Sequence, residues 1–310
     1  MNQVLFDALQ IRYIKLYITV SFPEGALLPV NKASALRGGM GEMLLQMNCI
    51  RDRDCENCDF EAECLVQRTM YSKYEIKPVF LTAGESIGYV LECENYQEEF
   101  AAGGTLQFQL LLFGKTLVYF NQFMQALTML GVVGLGKEHA KFCIASVKNE
   151  QNQVIVSEEE LDLGNYRIRM VSDYVQRRVR QISERGIKNR LIFHTPVTVK
   201  YQNEYMQSFQ MLPLTEAIKR RIYMLDCFEG IESDLRELAL MLPKITEQEH
   251  SFTVVKRYSN RKNTHMELKG IRGYAQTEAM EETLLELLLA GELIHVGKHT
   301  SFGFGRYTVR

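Results

Sequence analysis

Two segments of this 310-residue chain follow one plan. GLGKEHAKFCIASV at 134–147 and GKHTSFGFGRYTV at 297–309 each come after an apolar helical stretch, pass through a glycine-rich loop and end in strand-forming residues. A chain that closes both halves this way is constrained to two related units of mixed helix and antiparallel sheet. The residues between the closures agree. A strand is expected at 11–21, where Leu16, Ile18 and Val20 alternate on one face. A helix is expected at 34–47, with Ser34 as N-cap and Leu36, Met40, Met43, Leu44 and Met47 at helical spacing. Strands at 79–81, 88–93 and 106–113 and a helix at 121–130 complete the first half. The second half reads as strands at 191–198 and 201–209, helices at 215–228 and 233–242, paired strands at 251–258 and 265–274, and a helix at 278–289 before Tyr307-Thr308-Val309.

This order predicts an α+β protein of two ferredoxin-like βαββαβ domains, residues 1–160 and 161–310, each an antiparallel sheet with helices on one face. The length suits two domains. Gly297, Gly303 and Gly305 mark a backbone that turns sharply or approaches something closely. Gly38, Gly39 and Gly41 cost the first helix about 1 kcal/mol each relative to alanine, which is tolerable where another part of the molecule docks against it.

Hydrophobic residues at 46% and charged residues at 24% describe a globular chain, not a disordered one. The net charge of -2 does not announce a polyanion partner, so any such partner must be met by local charge. Residues 165–200 carry nine Lys or Arg against Asp173 and Glu184, an excess of +7, which a solvated basic helix explains as well as a binding surface does. No apolar run of about 20 residues and no basic leader are read in the sequence, so a cytoplasmic protein without a membrane span is expected. GxxxxGK[ST] is absent, which disfavours nucleotide-dependent chemistry.

Cys49, Cys55, Cys58 and Cys64 form a C-x5-C-x2-C-x5-C segment inserted in the first domain at 49–64. Four thiolates can close a tetrahedral shell, so structural zinc is expected, with iron–sulfur ligation or no metal as alternatives. A closed shell leaves no open position for catalysis. Cys93, Cys143 and Cys227 read as core fillers.

Several segments in order resemble CRISPR-associated Cas6, the repeat-processing endoribonucleases of the RAMP superfamily, in the branch with a cysteine cluster in the N-terminal half. ALRGGMGEMLLQMNCI at 35–50 resembles its first helix, and LQFQLLLFGKT at 106–116 its apolar strand. GVVGLGKEHAKF at 131–142 is similar to the loop closing the first half. RYSNRKNTHMELKGIRGYA at 257–275 resembles its basic hairpin, and GELIHVGKHTSFGFGRY at 291–307 its glycine-rich loop.

The resemblance implies two ferredoxin-like domains that bind a CRISPR repeat RNA and cut it once without a catalytic metal. The ribose 2′-OH would attack the adjacent phosphate, with histidine moving the proton and Lys or Arg stabilising the charged phosphate. Family members often place a histidine near the first helix, whereas this chain has none before His139. The ranked candidates for proton transfer are His299, His265 and His139. Expected RNA contacts are Lys32 and Arg37 by the first helix, Arg257, Arg261, Lys262, Lys269 and Arg272 in the hairpin, and Lys298 and Arg306 around the final loop. Tyr258 and Phe302 are candidates for base stacking, as is Phe304, although the two phenylalanines fit a core equally well. The missing early histidine keeps a second reading open: a non-cleaving guide-RNA-binding subunit of a CRISPR effector complex.

Overall fold

A computed structural model describes the chain except for residues 54, 56–57, 62, 72–73, 80–85, 187, 234, 236–237 and 260–263, and the side chains of residues 258, 259 and 265. In chain order the first part comprises α1 (Gln3–Ala8), β1 (Arg12–Phe22), β2 (Ala26–Leu27), α2 (Lys32–Asn48), α3 (Leu65–Met70), β3 (Tyr89–Glu92), β4 (Glu99–Phe100), β5 (Gly104–Phe113), α4 (Phe120–Val133), β6 (Cys143–Lys148), β7 (Val154–Ser157) and β8 (Arg169–Met170). The second comprises α5 (Val171–Arg185), β9 (Arg190–Val197), β10 (Lys200–Tyr201), β11 (Glu204–Tyr205), α6 (Met211–Glu229), β12 (Ile245–Ser259), β13 (Thr264–Thr277), α7 (Glu282–Ile294) and β14 (Tyr307–Val309).

The two main sheets share one topology. In the first the strands lie in the order β3-β5-β1-β6-β7, and in the second β12-β13-β9-β14. Counting only the four strands of each βαββαβ unit, both sheets read second, third, first, fourth, with antiparallel neighbours. The alternation read in β1 holds: Leu16, Ile18, Val20 and Phe22 are buried against α2 and α4, through Leu36, Met40, Phe123 and Leu127. Ile11 and Tyr13 belong to the other core, with Val90, Leu111 and Phe113, which packs on α6 and α7. One end of the first sheet is therefore sandwiched, and all four residues of β3 are buried. β8 pairs with β1, so the first sheet takes a strand from beyond residue 160.

Four expectations need correction. α2 is capped by the Asn31 side chain, which accepts from the Ser34 amide, and starts two residues before Ser34. No strand spans 201–209: a tight hairpin pairs Lys200–Tyr201 with Glu204–Tyr205, and the chain then turns into α6. In the stretch 233–242 the described residues form no α-helix, and Leu235 and Leu238 are buried in the second core. Finally, Gly114–Val133 does reach the length and mean hydropathy of a membrane span. Its second part is α4, whose Phe120, Phe123, Leu127 and Leu130 are buried in the first core. The expected strand at 79–81 falls largely outside the described residues. Gly39 and Gly41 do admit close neighbours, the side chains of Leu130 and Met70.

Candidate functional site

The glycine-rich tail lies between the two halves. After α7 it runs back across the ends of β9 and β3 before returning as β14. The amide of Gly305 donates to the Pro196 carbonyl at 2.8 Å and that of Val296 to the Gly305 carbonyl at 3.1 Å. A Cβ at Gly305, where φ is +71°, would stand 1.8 Å from the Val296 oxygen. At Gly303, φ +80°, it would stand 2.6 Å from the Leu91 oxygen in the other half. These glycines are required by backbone passing backbone.

Beneath the loop is a buried ionic cluster that joins the halves. Glu92 ends β3, and its carboxylate meets Lys15 Nζ at 2.8 Å, His295 Nε2 at 2.8 Å and Arg306 Nε at 3.5 Å. Burial alone would raise the Glu92 carboxyl. Lys15, then His295 and Arg306, outweigh it and hold the group well below the usual carboxylate range. His295 is fully buried, with Nδ1 2.9 Å from the Phe304 carbonyl. Both ring nitrogens therefore face oxygen atoms, one in each half of the chain. Glu92 thus fixes His295, which fixes the loop at Phe304.

On its outer side the loop gathers cations. Phe302 receives two guanidinium groups, Arg37 from α2 with Cζ 4.7 Å from the ring centroid and Arg257 from β12 at 4.5 Å. Arg37 also donates to Ser86 Oγ at 3.0 Å and Arg257 contacts Met266 Sδ at 3.2 Å. Neither arginine has an acidic partner among the described residues, and each has a buried Nε without a hydrogen bond. Burial and then Arg37 lower the pKa of Arg257. Two like charges on one ring repel, so the arrangement favours an anion between or beside them.

His299, with φ +64°, packs edge-on against Phe302 and Phe304 at centroid distances of 6.4 and 5.9 Å. Neither ring nitrogen has a hydrogen-bond partner among the described residues. Burial, then Lys298 and Arg257, lower its pKa to about 4. At neutral pH the ring is uncharged and able to accept a proton. It opens on a cleft of about 360 Å³ between the halves, lined among others by Ser86, Thr198, Arg220, Lys298 and Phe302.

The expected RNA-binding residues separate into groups. Arg37, Arg257, Lys298 and Phe302 come together around the loop. Lys32 does not belong there: it is fully buried, with Nζ donating to the Asn95 carbonyl at 3.0 Å. Arg306 is held by Glu92 and Glu94, and Phe304 is core, so neither ring face nor guanidinium is presented as expected. Lys269 and Arg272 are exposed on β13, with Lys269 paired to Glu267 at 3.2 Å. Arg261 and Lys262 lie outside the described residues, as do the side chains of Tyr258 and His265, which are register partners across β12 and β13. His139 is exposed in the turn before β6, away from the cleft lining.

Much of the basic run at 165–200 is structural: Arg178 pairs with Glu292 at 2.7 Å and Arg177 with Glu150 at 3.2 Å. Cys49, Cys55, Cys58 and Cys64 are of intermediate exposure. Their chemistry suits zinc, yet among the described residues no three His, Cys, Asp or Glu are placed to hold a metal ion. Glu92 and His295 were not picked out from the sequence as partners. The signal was an acid closing the apolar run Gly88-Tyr89-Val90-Leu91.

Comparison with known proteins agrees with this architecture. Residues 9–170 match a family model described as an N-terminal domain, and residues 191–307 match that of CRISPR-associated endoribonuclease Cas6. No curated protein matches significantly. Among solved structures, a partial Cas6-RT-Cas1–Cas2 complex aligns at 12% identity with a TM-score of 0.56 over 97% of this chain. This chain spans 46% of that one. Two Cas6 product complexes align at 15% identity, with TM-scores of 0.53 and 0.51, covering 96% of this chain and 99% of theirs. Residues 191–307 are thus a domain of the CRISPR-associated endoribonuclease Cas6 family, and the chain as a whole shares the two-sheet fold of the solved Cas6 structures.

Proposed function

We propose that this protein binds CRISPR repeat RNA in the cleft between its halves and cuts it through attack of a ribose 2′-OH, without a catalytic metal. The observation that carries the reading is the convergence of Arg37, Arg257, Lys298 and an uncharged His299 on one loop between two domains. Arg37 and Arg257, without an acidic partner among the described residues, bind the scissile phosphate and offset the charge that builds on it. His299 takes the 2′-OH proton as the oxygen attacks phosphorus, the P–O5′ bond breaks, and the departing O5′ takes a proton from water, leaving a 2′,3′-cyclic phosphate and a 5′-OH.

The test is cleavage of end-labelled repeat RNA in EDTA, beside RNA carrying one 2′-deoxy nucleotide at the cut. Cutting that survives EDTA and stops with the deoxy sugar supports the reading; cutting that needs a divalent metal refutes it. One observation favours a non-cleaving guide-RNA subunit: the α2 side chain that meets Phe302 is Arg37, and no histidine precedes His139. Tight binding with no cutting would select that role. Assembly with other CRISPR proteins is part of this proposal. Structural zinc on Cys49, Cys55, Cys58 and Cys64 is proposed from their spacing and thiolate chemistry alone. Elemental analysis should find one zinc per chain, lost on Cys55→Ser/Cys58→Ser; metal-free wild-type protein would exclude it.

A further inference from the structure

We propose that the cleft beside His299 is a pocket for one unstacked nucleobase of the bound RNA, with that nucleotide's phosphate at the lysines of its wall. This rests on the RNA-binding reading above and adds a specificity element to it. The cleft volume of about 360 Å³ lies near the lower end of the roughly 300–1,000 Å³ of small-molecule sites. That is room for a single nucleotide and not for a stack.

The walls match such a ligand. Ile87, Val199 and Met224 form a buried apolar floor, and Ala217 of α6 leaves space above it. Lys200 and Lys298 line the cleft, one on each of two segments joined by the Lys298 amide donating to the Thr198 carbonyl at 2.8 Å. The Met206 amide holds Val199 O at 2.9 Å, so this wall is formed before any ligand arrives.

A cleft with an apolar floor and lysines in its wall suits a base inside and a phosphate outside. Glu216 also lines the cleft, 43% exposed and 3.2 Å from Lys219. Its carboxylate accepts but does not donate, which favours a base presenting an amino group over uracil. Pulling one base out of the stack here turns the RNA backbone next to His299. A turned backbone is what in-line attack by a 2′-OH needs.

The test uses repeat RNAs with a single abasic site at each position in turn, measured for affinity with the full chain and with Ala217→Phe. One position should lose about 5- to 150-fold in affinity, the range for one stacked base. Ala217→Phe should weaken intact RNA by a similar factor and add nothing on the RNA lacking that base. Glu216→Gln, a change that leaves the floor intact, should reduce the preference at that position for amino-bearing bases over uracil. Bound RNA with no abasic-sensitive position, or a variant that weakens intact and abasic RNA equally, overturns the pocket. Failure of wild-type protein to bind any repeat RNA would instead overturn the RNA reading itself.

Discussion

Replacing Glu92 with glutamine tests how the two halves are locked. The substitution keeps size and one acceptor oxygen but removes the negative charge that faces Lys15, His295 and Arg306. Arg306 retains Glu94, whereas Lys15 and His295, with side chains 16% and 0% exposed, lose the one carboxylate that pairs with them among the described residues. Removing one partner of a buried ionic pair costs about 3–5 kcal/mol, because the other charge stays buried. At about 2.1 cal/mol/K of unfolding entropy per residue, that is a fall in Tm of roughly 5–8 °C for a chain of this length.

The pH dependence has a definite sign. A carboxylate held below its unfolded value contributes fully above that value, and its contribution is lost as pH falls. Wild type and Glu92→Gln should therefore differ by a constant amount at neutral pH. The gap should close only below about pH 4.3, the unfolded value for glutamate. Differential scanning calorimetry at several pH values reads both effects. An unchanged Tm at pH 7, or a gap that closes between pH 8 and 6, would refute the reasoning.

Three further outcomes are expected. His299→Ala should abolish single-turnover cleavage while RNA still binds, and the wild-type rate should lose activity only as pH falls toward about 4; a midpoint near 6.5 would remove His299 as the base. Arg37→Ala and Arg257→Ala should each weaken RNA binding and reduce the slope of log affinity against log salt by about 0.7 per lost phosphate contact; an unchanged slope would mean these arginines only hold Phe302. Gly305→Ala should cost about 1–2 kcal/mol for the left-handed backbone, and more because Val296 must move; a denaturant midpoint equal to wild type would contradict the close passage.

The twofold βαββαβ plan was legible in the sequence because it rests on local signals. Alternation in β1, helical spacing in α2 and glycines at each closure are properties of a few consecutive residues. The glycine-rich tail was likewise readable as a site of close approach, and its charged neighbours as candidates for a polyanion. Only the tertiary structure decided which candidates share a site. Lys32 and Arg37 are five residues apart on one helix, yet the helix turns Lys32 into the interior and Arg37 toward Phe302. Arg306 and Lys298 flank the same loop, but Glu92 from the other half claims Arg306. The cluster of Glu92, Lys15 and His295 spans both halves, and sequence pattern carries no distance between residues 203 apart. Burial and pairing across a domain interface are set by packing, so they were decided by the fold and not by the local chain.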